Sequence, residues 1–146
     1  MQFLAELMIY NGYAVDFICD LLYNYHKGSE IMSPNYLLIY SEQLATGIEL
    51  LCQNIKVPSN TIFQIRKSSS SVYANIREAN YGQSKADMLS KFEIALKECS
   101  ETEGWIQLLF NTSAIDENTY KKHRNLCGRI RRILISSCKT LKENIK

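Results

Sequence analysis

Residues 121–146 hold nine Lys or Arg and one acid, Glu143, whereas residues 1–120 hold eight Lys or Arg and fourteen acids. The net charge is therefore +8 over the last stretch and −6 over the rest, within a total of +2. At a helical phase of about 100° per residue, Lys121, Arg124, Arg131, Arg132, Lys139, Lys142 and Lys146 share one arc, with Gly128 among them. The opposite arc carries Leu126, Cys127, Ile130, Ile133, Leu134, Cys138, Leu141 and Ile145. Cations crowded on a helix with almost no acids of its own repel one another, and a polyanion relieves that repulsion. The chemistry this predicts is binding of an RNA or DNA phosphate backbone by Lys121, Arg124, Arg131, Arg132, Lys139 and Lys142. No aromatic residues interleave with the stripe and no groove-reading motif is present, so base readout is not expected. The competing reading is a solvated face, partly neutralised by acids from a neighbouring helix or subunit.

A second constellation is polar and lies mid-chain. Asn75 and Glu78 stand on a segment of apolar and small residues, and Glu98 and Glu101 stand on the next. A di-iron bundle site needs Glu-x-x-His motifs on two helices. Here Glu78 is followed at the third position by Tyr81, Glu98 by Glu101, and Glu101 by Gly104. The expectation is instead a buried hydrogen-bond network of Asn75, Glu78, Glu98 and Glu101 that fixes helix register. His26 and His123 are remote in sequence, no Ser/His/Asp or Cys/His set is indicated, and there is no glycine-rich phosphate loop. These patterns predict no enzyme, no metal and no cofactor. Trp105 reads as an anchor in the core or between subunits, with base stacking as the alternative. Cys19, Cys52, Cys99, Cys127 and Cys138 are odd in number and contain no CxxC, which speaks against a disulfide framework or a zinc knuckle. They read as small buried hydrophobes in a reducing, cytoplasmic setting.

The elements that must hold these residues are helices. The chain has 146 residues, 46% hydrophobic and 22% charged, with only two Pro and six Gly. One domain of that size buries roughly 68–70% of its unfolded surface. Scarce Gly and Pro disfavour a turn-rich β fold, and no apolar run is long enough to span a membrane. No secretion signal is evident, because the opening residues lack a basic region and Asp16 and Asp20 interrupt the apolar stretch. Residues 1–30 read as an N-terminal helical extension, or as translation upstream of Met32. Its Tyr10, Tyr13, Tyr23 and Tyr25 are candidates to cover an apolar surface or meet a partner. Residues 33–146 read as one domain of four long helices. Ser33-Pro34 opens the first, which ends at Val57-Pro58. Ser59 or Asn60 caps the second, which runs to about Tyr81. Helical periodicity continues through Ser68-Ser69-Ser70-Ser71, so that serine run reads as a close-packing surface rather than a linker. Ser84 caps the third, with Asp87 completing a capping box, and that helix reaches about Phe110. Asp116 or Asn118 opens the last, with Ile115 as a hydrophobic staple, and it reaches about Asn144. Short links make an all-α, antiparallel, up-down-up-down four-helix bundle.

The stretch Ile65-Arg66-Lys67-Ser68-Ser69-Ser70-Ser71-Val72-Tyr73-Ala74-Asn75-Ile76-Arg77-Glu78-Ala79 resembles the bacterial four helix bundle protein family. That family was first noticed as proteins encoded by intervening sequences in large-subunit ribosomal RNA genes. The resemblance continues through Gln83-Ser84-Lys85-Ala86-Asp87, residues 91–98 and residues 101–109, and covers roughly residues 36–140. It implies an antiparallel bundle that assembles into a homopentamer, a tapered barrel with a central channel. Contacts between copies are then expected along the small-residue helix, Ser68 to Ala79. The wider family includes the accessory variability determinant of diversity-generating retroelements, a basic pentamer that binds nucleic acid and a reverse transcriptase. The resemblance therefore implies RNA or DNA, and a reverse transcriptase, as partners. A self-assembling scaffold without a nucleic-acid role is the alternative.

Overall fold

The computed structural model describes residues 35–145, and within them every regular element is an α-helix. The helices are α1 (Tyr36–Asn54), α2 (Ser59–Ala79), α3 (Lys85–Asn111) and α4 (Glu117–Ile145). The expected extension over residues 1–30, and the Ser33-Pro34 opening, lie outside the described residues.

Each connection is only a few residues long, so consecutive helices run antiparallel. α1 packs on α2, α2 on α3, α3 on α4, and α4 returns to α1. The result is the expected four-helix square. The interior is a single cluster in which all four helices take part. Leu44 and Ile48 come from α1, Ile65, Val72 and Ile76 from α2, Ile106 and Leu109 from α3, and Ile130 and Leu134 from α4. Each of these nine side chains is essentially fully buried. Burying such a side chain stabilises by roughly 1.5–3 kcal/mol, which makes this seam the main source of fold stability.

Local signals set the helix ends. Asn35 rather than Ser33 caps α1, its side-chain oxygen accepting the Leu38 N–H at 3.1 Å. α1 stops at Asn54 because Ile55 is already extended. Pro58 takes the N-cap position of α2 without a side-chain bond, so Ser59 and Asn60 fall inside the first turn. At α3 the box closes as expected: Ser84 Oγ accepts from Asp87 N at 3.1 Å, and Asp87 Oδ2 accepts from Gln83 N at 3.2 Å. Asp116 is the α4 cap, accepting from Thr119 N at 2.7 Å, and those backbone N–H bonds hold its carboxyl below the usual carboxylate range. Ile115 and Tyr120, at the staple positions, are both buried.

α3 ends in a Schellman turn. Ala114 N–H donates to the Leu109 carbonyl and Ser113 N–H to that of Phe110, both at 2.9 Å. Ser113 sits at φ 58, the left-handed conformation usually given to glycine.

Candidate nucleic-acid interface

α4 presents two faces. Tyr120, His123, Cys127, Ile130, Leu134 and Cys138 are buried, with Leu126, Ile133 and Leu141 half-buried against the core. Ile145, assigned to the apolar arc, is exposed at the helix end. Lys121, Arg124, Arg131, Arg132, Lys139 and Lys142 are all exposed. Lys146 lies outside the described residues. The helix carries eight Lys or Arg against Glu117 and Glu143.

The stripe is not bare, because acids of α3 reach across to it. Glu103, with 18% of its side chain exposed, receives Arg131 Nη1 at 2.9 Å and lies 3.6 Å from Arg124 Nε. Lys142 Nζ meets Glu93 at 2.7 Å, and that hydrogen bond pushes the lysine's pKa up. Lys121 pairs with Glu117 at 2.6 Å, one turn away on its own helix. Arg132 and Lys139 have no ion pair among the described residues. Exposed pairs of this kind contribute about 0–1 kcal/mol each, so a phosphate competes with them readily. Arg124 also lies over the Tyr120 ring at 5.7 Å, which positions it above the α3–α4 seam.

Glu103 is not legible from the sequence as a partner of the stripe. Its signal is indirect: α3 carries five acids against three lysines, one helix away from the basic stripe.

The four-residue polar network does not form within the chain. Asn75 is half-buried and donates to Ser71, at 2.9 Å to the carbonyl and 3.2 Å to the hydroxyl. Glu78 is exposed and takes Lys91 at 2.6 Å. Glu101 is exposed and accepts from Trp105 Nε1 at 3.3 Å, while Glu98 contributes only its backbone carbonyl, to Thr102. The helical phase that buries Val72 and Ile76 turns Glu78 to the rim, and the phase that buries Cys99 and Ile106 does the same for Glu101. The buried polar link between α2 and α3 is instead Thr102 Oγ1 to Ser68 Oγ, at 2.9 Å. Both residues fall in register with the apolar repeat of their helices, which is the signal the sequence offers. Of the serine run, Ser68 and Ser69 are buried in the chain's own core, whereas Ser70 is exposed.

Trp105 is half-buried against the core. A groove of about 790 Å³ follows the α1–α4 seam and is lined by Ile39, Thr46, Gly47, Leu50, His123 and Leu126, among others. His123 is only 4% exposed and its Nδ1 has no hydrogen-bond partner. Burial, reinforced by Lys122, holds the imidazole below its ordinary pKa. Among the described residues no His, Cys, Asp or Glu side chains gather as a metal site, and no helix is long and apolar enough to cross a membrane.

Residues 41–136 match the family model of the 23S rRNA-intervening sequence protein. The chain belongs to that family. The region shared with the family takes in Lys121, Arg124, Arg131 and Arg132, and leaves Lys139 and Lys142 beyond it. A solved Bacteroides thetaiotaomicron protein of unknown function, from the S23 ribosomal protein family, is 38% identical. It superposes with a TM-score of 0.65, over 70% of this chain and 98% of its own. Comparison with curated proteins gives no match. The family and its four-helix fold thus agree with the resemblance carried by residues 65–109.

Proposed function

We propose that this chain is a non-enzymatic, self-assembling bundle that binds the phosphate backbone of RNA or DNA through α4. The observation that carries the reading is the one-sided excess of cations on that helix, together with Arg132 and Lys139, which no carboxylate neutralises among the described residues. Glu103 adds to it by holding Arg124 and Arg131 side by side on the same surface. The stripe lies along the exposed side of a single helix, so contacts fall on phosphates and sequence preference is weak. Five copies, the number the resemblance implies, repeat the stripe and raise the local potential. A reverse transcriptase is the protein partner that the same resemblance proposes, and co-purification tests it.

The test is filter binding of RNA and DNA at two salt concentrations, with light scattering on the same samples. Arg132→Glu with Lys139→Glu is the informative double variant, since neither residue holds an ion pair among the described residues that the change would break. Affinity falls, and the slope of log affinity against log salt flattens by about 0.7–0.9 for each phosphate that is no longer neutralised. Helix content and oligomer mass stay unchanged. Equal affinity of variant and wild type sinks the reading.

A scaffold without nucleic acid is favoured by a different observation. Leu50, Phe63, Leu108 and Ile135, one from each helix, are exposed at 55%, 61%, 43% and 53%, apolar side chains that contacts between copies would cover. Oligomer formation together with no nucleic-acid binding selects this second reading.

A further inference from the structure

Away from α4, cations gather a second time on α2, and there an aromatic ring stands among them. Phe63, Arg66, Lys67 and Ser70 occupy positions i, i+3, i+4 and i+7, so they share one face of the helix. Phe63 is 61% exposed, although a phenyl ring ordinarily finds cover. Lys67 and Ser70 are exposed as well, and Lys67 has no ion pair among the described residues. Arg66 Nη2 meets Glu49 of α1 at 2.9 Å, and 38% of the arginine side chain stays open to solvent. The same face lines a groove of about 740 Å³, to which Val57 and Ile62 add apolar wall. No residue of α4 lines it, so the groove is separate from the basic stripe.

We propose that this groove is a contact for single-stranded RNA or DNA, in which a base stacks on Phe63 and its phosphate is held by Lys67 and Arg66. A flat ring open to water accepts the face of any base, and stacking covers apolar area that the fold leaves bare. Lys67 stands one turn from Phe63, about 6 Å along the helix axis, which is the scale of the step from a base to its own phosphate. Arg66 is already held in place by Glu49, so little side-chain freedom is lost when its guanidinium meets a phosphate. Arg66 and Lys67 against Glu49 leave the groove a net charge of +1. That is too little to grip a duplex through phosphates alone. The stacked base supplies the remainder, and a base is free to stack only where the strand is single.

The kind of ligand rests on the nucleic-acid function proposed above. The place does not, because α2 and α4 are tested by separate variants.

The test uses the full chain, with oligo(dA) as the single strand and oligo(dA) annealed to oligo(dT) as the duplex. Phe63→Ala weakens single-strand binding by about 5- to 150-fold and leaves both the duplex affinity and the salt slope unchanged. Lys67→Ala flattens the single-strand slope of log affinity against log salt by about 0.7. Phe63→Trp reports the stack directly: saturating oligo(dA) quenches its emission more than that of the wild type, whose one Trp is Trp105. Circular dichroism and light scattering on the same samples show unchanged helix content and oligomer mass. A loss of oligomer mass in Phe63→Ala overturns the proposal and assigns the ring to a contact between copies. Equal single-strand affinity of Phe63→Ala and wild type overturns it too, as does an equal loss for the duplex. Quenching of Phe63→Trp by AMP at the same nucleotide concentration replaces the strand with a free nucleotide as the ligand. Weakening by the Arg132→Glu, Lys139→Glu double variant but not by Phe63→Ala keeps the α4 reading and removes this one. The reverse keeps this one and removes the other, and a wild type that binds neither nucleic acid removes both.

Discussion

Gly47 of α1 lies against His123 of α4, and replacing it with Ala tests how tightly that seam is built. A Cβ at position 47 would stand 2.8 Å from His123 Cε1 and 3.4 Å from Nδ1. The first distance is below any ordinary carbon contact, so the ring or the helix must move. The His123 ring is only 4% exposed, which restricts how far it can swing away. Overpacking of this kind costs about 1–3 kcal/mol. Ala is favoured over Gly within a helix by about 1 kcal/mol, which offsets part of that cost. The net expectation is a loss of about 1 kcal/mol. For a described domain of 111 residues this lowers Tm by roughly 3–5 °C. Thermal melts followed by circular dichroism at one fixed protein concentration measure it. The sign must reverse in a His123→Ala background, where the added methyl has space and only the helix preference remains. An equal shift in both backgrounds would show that the two residues do not meet, and refute the geometry.

Two further outcomes follow from named groups. The folded pKa of His123 lies below its unfolded value of about 6.5, so the fold favours neutral imidazole. Its contribution is complete above that unfolded value and is lost as pH falls through the folded one. Glu42 of α1 and Lys122 and Arg129 of α4 line the same groove, so the comparison is with His123→Phe, which keeps all three. The urea midpoint of the wild type should fall more steeply than that of the variant on going from neutral pH to mildly acidic pH, and parallel lines would exclude His123 as the cause. Ser113→Gly relieves a left-handed serine and should raise stability by about 0.5–1 kcal/mol in urea unfolding. A drop would show that the Ser113 side chain does something at the turn beyond tolerating it.

The sequence by itself determined the four helices, their short links and their antiparallel order. Periodic apolar residues, Ser84 with Asp87, and Asp116 before α4 are local signals, and local signals survive without knowledge of neighbours. It also determined that α4 is basic along one arc and apolar along the other, because both arcs lie on one helix. Helix openings near proline were less legible. Asn35 displaced Ser33 and Pro58 displaced Ser59, since several adjacent residues could cap and only backbone geometry chooses among them. The tertiary structure decided everything that passes between helices. It set Glu103 against Arg124 and Arg131, and left Arg132 and Lys139 without carboxylates. It separated Asn75, Glu78, Glu98 and Glu101, and placed the buried polar link at Ser68 and Thr102 instead. It brought Glu49 to Arg66 and His123 to Gly47. Each of these pairings depends on the relative rotation and axial shift of two helices. A helix's own repeat fixes which face is buried, but many rotations and shifts bury that face nearly as well. Packing of the whole core selects one of them, and with it which polar side chains meet.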